Sequence, residues 1–219
     1  MKRPRAVLRR AAEMSPYPPG KQVQGLTVTL TDTVEFAELL DVLGYTPDEY
    51  VAVCHQVPGG RFETAVGTSA GAPVFVNGLP TNADVWFGVC PVRGPARMRA
   101  GKGKASDVTR LSALFCDLDV YGTGPGDLAA AQAIIDDLSA HLEVRPSIIV
   151  NSGHGLHPYW PVEPEAARSL SNTDAAALLA RFGRLVKTVA SHHSCTVDNV
   201  FNLDRILRVP GTFNQKVMP

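Results

Sequence analysis

The four cysteines of this chain are scattered, and no two of them form a C-x-x-C pair. This spacing excludes a cysteine-rich zinc knuckle and offers no disulfide framework, so we expect reduced thiols. The basic N-terminal stretch is not followed by the apolar core that a secretory signal peptide requires. There is also no apolar run long enough to predict a membrane span. We therefore expect a cytoplasmic protein that has no membrane partner.

The chain also lacks net charge. It has 21 Lys and Arg residues against 21 Asp and Glu residues, a formal net charge of +0. Overall charge therefore gives no reason to expect a nucleic-acid partner. The length of 219 residues, with 45% hydrophobic and 19% charged residues, is typical of a globular protein. We predict a basic, proline-containing arm over residues 1–25 and a single folded domain over residues 26–219.

Helical and strand-like patterns alternate irregularly along this domain. The order predicts an α+β protein with a mixed β-sheet, flanking helices and an N-terminal α/β part. Helices are predicted over residues 33–44, 127–141 and 173–190, the second capped by Asp127. Strands are predicted over residues 50–55, 85–90, 111–116, 147–151, 156–161 and 205–209.

Two acids separated by one residue end the apolar run over residues 111–116. Alternate residues of a strand point to the same face, so Asp117 and Asp119 are expected side by side where the strand leaves the core. Carboxylates held this close repel each other unless a cation or a shared proton relieves the repulsion. Oxygen ligands without a thiolate favour magnesium or manganese over zinc. The alternative is a strand end that simply exits to solvent.

A Ser-Gly-His-Gly turn over residues 152–155 is followed closely by His157. Its glycines allow backbone amides to approach an anion, and the imidazole of His157 can donate a hydrogen bond to a phosphate oxygen. The alternative is a histidine used in packing or in a structural hydrogen bond. The glycine-rich stretch over residues 122–126 lacks the G-K-[ST] ending of a phosphate loop and is predicted to be a turn.

A third segment carries both acids and cations near the C-terminus of the sequence. Arg205, Arg208 and Lys216 supply positive charge suited to a polyphosphate. Either Asp198 or Asp204 could complete a three-carboxylate metal site. A surface strand of mixed charge is the alternative.

Basic residues without acidic neighbours cluster over residues 93–104, just ahead of the Asp117 strand. This distribution predicts contacts with the phosphate backbone of a nucleic acid, against the alternative of a solvated loop. The predicted DNA-binding residues are Arg93, Arg97, Arg99, Lys102 and Lys104.

The order of these motifs resembles the archaeo-eukaryotic primase superfamily. A hydrophobic D-x-D, then S-G-x-G-x-H, then an acid upstream of R-x-L-R-x-P-G-T-x-N-x-K, occur between about Val85 and Lys216. The pattern is most similar to the bifunctional DNA primase-polymerase domains of phages, plasmids and their bacterial relatives. This resemblance implies an RRM-like sheet core and template-directed nucleotidyl transfer in DNA replication. The implied partners are a single-stranded DNA template, a primer and nucleoside triphosphates.

The resemblance also implies residue roles. Asp117, Asp119 and Asp198 become the catalytic acids that bind two divalent ions, Mg²⁺ or Mn²⁺, with Asp198 preferred over Asp204 because of its spacing. Two such ions lower the pKa of a primer 3′-hydroxyl and screen the triphosphate. Relatives often continue into a helicase, so a helicase domain or protein is an expected partner. The implied nucleotide-binding residues are Ser152, Gly153, His157, Arg205, Arg208, Asn214 and Lys216.

Two other functions are compatible with parts of this pattern. A metal-dependent nuclease could use the same carboxylates, but it needs no grip on a triphosphate, so the basic segment from Arg205 to Lys216 argues against it. A non-catalytic RRM-like module would bind nucleic acid by stacking bases on exposed strand aromatics. The sequence shows no aromatic-rich strand, so we rank this function last.

Overall fold

The computed structural model describes residues 35–97, 101–212 and 214. The predicted N-terminal arm, Arg99 and Lys216 lie outside the described residues. The helices are α1 (Phe36–Val42), α2 (Ala72–Asn77), α3 (Leu128–Leu142), α4 (Pro164–Ser169) and α5 (Asn172–His192). The strands are β1 (Tyr50–Gln56), β2 (Glu63–Thr68), β3 (Asp84–Gly88), β4 (Ala113–Phe115), β5 (Leu118–Asp119), β6 (Ile148–Asn151), β7 (Gly155–Pro161) and β8 (Ile206–Arg208).

The predicted α+β class is confirmed, but the predicted mixed sheet is wrong. The strands form two four-stranded sheets, and every pair of strands in the described residues is antiparallel. Antiparallel neighbours can be joined by short connections, whereas parallel ones need a long crossover. The first sheet combines strands from both ends of the described chain, since β8 pairs with β3.

The first sheet has the strand order β2-β1-β3-β8. Side chains alternate between its two faces, and Val53 and Phe87, which pair in register, are both buried. Phe87 packs against Phe36 of α1 with ring centroids 5.3 Å apart. Helix α1 therefore covers one face of this sheet, and the alternate side chains point to the other face.

In the second sheet, β4 and β5 pair with one edge of β7 in a single register, and β6 pairs with the other edge. The interruption between β4 and β5 consists of Cys116 and Asp117, which stand opposite Pro158 and His157. Proline has no N–H group, so the hydrogen-bond ladder cannot continue through Pro158. The register is the same on both sides of this interruption, so Asp117 faces His157 across the pair of strands.

Two amphipathic helices pack beside the second sheet. The Asp127 side chain accepts a hydrogen bond from the Ala130 N–H at 2.7 Å, which confirms the predicted cap of α3. Helix α5 buries Phe182 against Trp160 of β7, with ring centroids 5.5 Å apart. No helix of the described ranges has the length and apolar character that a membrane crossing would need.

Candidate active site

A cleft of about 540 Å³ is lined by residues of both sheets and brings together residues of all three predicted motifs. Each of the three motifs contributes to the lining. The residues are Asp117 and Asp119 from the first motif, Ser152 and His157 from the second, and Arg205, Arg208 and Asn214 from the third. These residues span almost 100 positions of the sequence. The pairing of β5 with β7 brings the first two motifs together, and the hydrogen bond from Asn214 to Ser152 connects the third motif to them.

The side chains of Asp117 and His157 join the first motif to the second. His157 Nε2 lies 3.1 Å from Asp117 Oδ1, and their side chains are 4% and 19% exposed. His157 Nδ1 is buried, and it has no hydrogen-bond partner among the described residues. Burial, and then the negative charge of Asp117, raise the pKa of the Tyr159 phenol and of the Cys116 thiol well above their ordinary values. Both neighbours therefore stay protonated beside the carboxylate.

Two glycines allow the chain to approach the backbone of Asp119. A Cβ atom on Gly155 would lie 2.8 Å from the Asp119 Cα and closer still to the Leu118 carbonyl oxygen. A Cβ atom on Gly124 would collide with the Asp119 carbonyl oxygen. Only residues without a side chain fit at these two positions. The glycine-rich stretch over residues 122–126 thus serves as a close-packed turn, as predicted, and it supports the carboxylate pair.

The predicted turn over residues 152–155 is confirmed. Gly153 adopts a φ of +86°, in the left-handed region that favours glycine. Within the turn, the Ser152 N–H donates to the Gly155 carbonyl at 3.0 Å. The Gly153 N–H donates to the Asn151 side-chain oxygen at 2.8 Å, so this amide is used internally and does not point to an anion site.

A chain of hydrogen bonds connects this turn to the first sheet. Asn214 Nδ2 donates to the Ser152 carbonyl at 3.1 Å, and its Oδ1 accepts from Arg208 Nη2 at 2.8 Å. Arg208 Nη1 donates to Asp84 Oδ1 at 2.6 Å. Arg208 and Asn214 therefore hold the two walls of the cleft together. Their predicted contact with a nucleotide stays a prediction.

Arg205 lines the cleft but also fixes the loop before β8. Its Nη2 donates to the Asn199 carbonyl at 2.8 Å and its Nε to the Val200 carbonyl at 3.3 Å. These two bonds give the guanidinium a defined position. The predicted contact of Arg205 with a nucleotide stays a prediction.

The structure does not bring the predicted third acid to the cleft. Asp198 is exposed and is not among the described residues that line the cleft. Asp204 is held by Lys102 and by Asn202, whose Nδ2 donates to it at 2.6 Å. Burial would raise the pKa of the Asp204 carboxyl, but the hydrogen bond from Asn202 and the charge of Lys102 lower it below its ordinary value.

The additional carboxylate at the cleft is Asp84, which sequence reasoning missed. Asp84 begins β3 and lies 2.6 Å from the guanidinium of Arg208. Nothing in the sequence pattern connects a residue at position 84 to the third motif. Only the pairing of β3 with β8 places the two charges together.

The residues of the cleft fit a hard divalent ion in part. Asp117 and Asp119 offer carboxylate oxygens on one wall, whereas within the described ranges no group of three or more His, Cys, Asp or Glu residues is arranged to hold a metal ion. Mg²⁺ is usually held by one or two protein carboxylates together with substrate phosphates. The pair therefore suits an ion whose remaining ligands come from the phosphates of a nucleotide. The predicted site of three carboxylates is not formed among these residues.

None of the described cations of the predicted DNA-binding loop, Arg93, Arg97, Lys102 and Lys104, lines the cleft. Arg93, Arg97 and Lys104 are exposed. Lys102 Nζ donates to the Asp204 carbonyl oxygen and lies 3.4 Å from its carboxylate. The loop is therefore tied to the segment just ahead of β8, and its exposed cations remain available to a partner.

Comparisons with known proteins find resemblances among solved structures. No family model matches the chain. No curated protein matches it either. Solved structures that resemble it include the crystal structure of primase RepB′, with 14% identity and a TM-score of 0.49 over 83% of this chain and 50% of that one. Another is the catalytic domain of primase RepB′ in complex with initiator DNA, with 14% identity and a TM-score of 0.47 over 83% of this chain and 79% of that one.

The chain spans half the length of the first of these structures. A likeness at such TM-scores and identities carries no argument about function. The functional assignment therefore depends on the motifs and on the cleft.

Proposed function

We propose that the cleft is the active site of a DNA primase-polymerase, which transfers nucleotides to a primer on a single-stranded DNA template. The observation that carries this proposal is that the three motifs, distant in the sequence, line one cleft. The finer fold assignment, an RRM-like core of the archaeo-eukaryotic primase type, belongs to the same proposal. A helicase partner and a cytoplasmic location stay predictions.

The roles of the residues follow from their positions. Asp117 and Asp119 would hold Mg²⁺ or Mn²⁺, which when bound lowers the pKa of the attacking 3′-hydroxyl and screens the charge of the triphosphate. His157 orients the Asp117 carboxylate, because its Nε2 lies 3.1 Å from Oδ1. Arg205 contributes positive charge at the cleft, where the triphosphate of the nucleotide would lie.

The test is primer extension on single-stranded DNA with labelled nucleotides and Mg²⁺ or Mn²⁺. Asp117→Asn and Asp119→Asn keep the size of each side chain and remove its charge, so we expect incorporation to be lost while the fold is kept. Asp136→Asn is a matched control, since Asp136 is an exposed acid of α3 outside the cleft lining. Full activity in the Asp117 and Asp119 variants would overturn the proposal.

The same assay separates a polymerase from a nuclease. A nuclease would degrade labelled DNA without added nucleotides, and a polymerase would require them. The proposed third acid is tested with Asp198→Ala. Loss of incorporation at an unchanged melting temperature would support a catalytic role for this exposed carboxylate, and unchanged incorporation would remove it from the site.

A further inference from the structure

An aromatic pair extends the cleft across the first sheet. The rings of Phe62 and Trp86 have centroids 5.7 Å apart and planes inclined by 37°. Trp86 lies on β3, one of the two inner strands of this sheet, is half-buried and lines the cleft. Phe62 directly precedes β2 and is 50% exposed. No single strand is rich in aromatic residues, and the pair forms instead between a residue of β3 and the residue that directly precedes β2.

Both rings belong to the face of the sheet that is turned away from α1. Trp86 pairs in register with Cys54, and Cys54 lies two positions before Gln56, which lines the cleft. The side chain of Trp86 therefore lies on the same face of the sheet as the side chain of Gln56. The opposite face carries the buried Val53 and Phe87. Phe62 and Trp86 are both absent from the described apolar core. The aromatic pair is therefore a surface feature that the packing of the core does not explain.

A cation accompanies these rings. Trp86 pairs in register with Arg208 of β8, whose guanidinium carbon lies 4.9 Å from the Trp86 ring centroid. Arg208 is itself buried and paired with Asp84, so its role here is to pack against Trp86 and hold the ring in place. Aromatic rings in a groove are a common way for proteins to bind single strands, since bases stack on the rings.

We propose that Phe62 and Trp86 form a stacking surface for a nucleobase at the part of the cleft that the first sheet lines. This inference rests on the proposed function, because that function brings a polynucleotide and a nucleotide into the cleft. The base belongs either to the template strand or to the incoming nucleotide, and the recognition chemistry, stacking on an aromatic ring, is the same for both.

Binding can be measured without catalysis, in EDTA. The chain has two tryptophans, and Trp160 is 4% exposed, with its Nε1 donating to the Val144 carbonyl at 3.1 Å. A change of tryptophan emission on adding a ligand to the cleft therefore reports on Trp86. We expect quenching by an oligothymidylate if the template strand stacks there, and quenching by dTTP alone if the incoming nucleotide does. Quenching by neither would overturn the proposal.

Variants test the same surface through affinity, measured by the fluorescence anisotropy of a labelled oligothymidylate or by competition with dTTP. We expect Phe62→Ala and Trp86→Ala each to weaken binding of the stacked ligand by about 5- to 100-fold, and Trp86→Phe to retain most of it. The matched control is Phe75→Ala, because Phe75 is also partly exposed, at 38%, but packs beside His55 and outside the cleft lining.

Phe62→Ala removes an exposed ring, so it keeps the test decisive even if Trp86→Ala fails to fold. Unchanged affinity in Phe62→Ala would overturn the proposal. The failure of this proposal can be distinguished from the failure of the proposed function, because binding in EDTA is measured without catalysis. If the Asp117 and Asp119 variants kept full activity, the nucleotidyl-transfer proposal would fail while the binding data in EDTA would stand.

Discussion

The Asp117 carboxylate and the His157 imidazole face each other across two antiparallel strands, with Oδ1 and Nε2 3.1 Å apart. They belong to different motifs, and they meet because the common register of β4 and β5 with β7 sets the two residues opposite each other. The imidazole is almost fully buried, so it has little freedom to turn away. His157 is therefore placed to fix the orientation of the carboxylate that the proposed reaction needs.

We predict that His157→Ala lowers the efficiency of nucleotide incorporation by about 10- to 100-fold, the usual cost of removing a group that positions a metal-binding side chain. His157→Gln, which keeps a donor, should recover part of the loss. Single-nucleotide incorporation titrated with both dNTP and Mg²⁺ measures the effect. His193→Ala is the control, since His193 lies 2.8 Å from Asp137 in a similar pair outside the cleft. Equal activity in the His157 and His193 variants would contradict the role.

The elements that the sequence predicts well are those whose signal is local. Asp127 caps α3 as expected, and α5 covers the predicted range because its apolar stripe continues for several turns. The D-x-D pair lies on one wall of the cleft as the two-residue period of a strand requires. Short elements such as α2 carry too few residues for a clear period, and they were missed.

The features that the sequence does not predict depend on contacts between distant strands. Asp84 meets Arg208, and Phe62 meets Trp86, only through the register of the first sheet. Spacing along the chain also does not show in which direction a loop turns. The spacing predicts Asp198 at the cleft, whereas the structure places it outside the cleft lining.

A second prediction concerns Asn214, whose side chain bridges Ser152 and Arg208. Asn214→Ala removes two hydrogen bonds, so we expect a loss of about 1–3 kcal/mol in the free energy of unfolding. We also expect incorporation to fall, because the walls of the cleft are no longer tied together. Urea unfolding and primer extension measure the two effects.

A matched control for Asn214 lies outside the cleft. The Asn172 amide donates to the Ala105 and Val108 carbonyls at 2.9 and 3.1 Å. Asn172→Ala should therefore lower stability to a similar degree and leave incorporation unchanged. If both variants lost activity in proportion to their stability, Asn214 would have no specific role at the cleft.

A third prediction uses the close approach at Gly155. The added methyl group of Gly155→Ala meets the backbone at Leu118 and Asp119, which cannot move aside as a side chain can. We expect a destabilisation of about 1–3 kcal/mol from overpacking, with loss of incorporation even where the variant is folded. Thermal unfolding and extension assays below the melting temperature check this. Gly67→Ala is the control, because a Cβ atom there meets nothing within 4 Å. Wild-type activity in Gly155→Ala would show that Asp119 tolerates displacement.

The last prediction concerns a buried ion pair that supports the N-terminal half of the fold. Arg110 is 2% exposed, and its Nε and Nη2 donate to the two carboxylate oxygens of Glu49, each at 2.9 Å. Arg110 Nη2 also donates to the Gly44 carbonyl at 2.7 Å. Removing one partner of such a pair leaves the other charge unpaired, so we expect Arg110→Met to cost about 3–5 kcal/mol. Arg168→Ala, which removes a half-exposed cation 3.8 Å from Glu49, should cost less than about 1 kcal/mol.

The pair also sets a pH dependence. Burial would raise the pKa of the Glu49 carboxyl, but the hydrogen bonds from Arg110 and Thr46 lower it below its ordinary value of 4.5. A carboxyl whose pKa is lower in the folded state stabilises the fold above its unfolded pKa, and this stabilisation is lost as the pH falls through the folded pKa. The stability difference between wild type and Glu49→Gln should therefore be largest above pH 4.5 and shrink below it. Urea unfolding across this range measures the difference, and a constant difference down to the lowest pH would show that Glu49 does not titrate with folding.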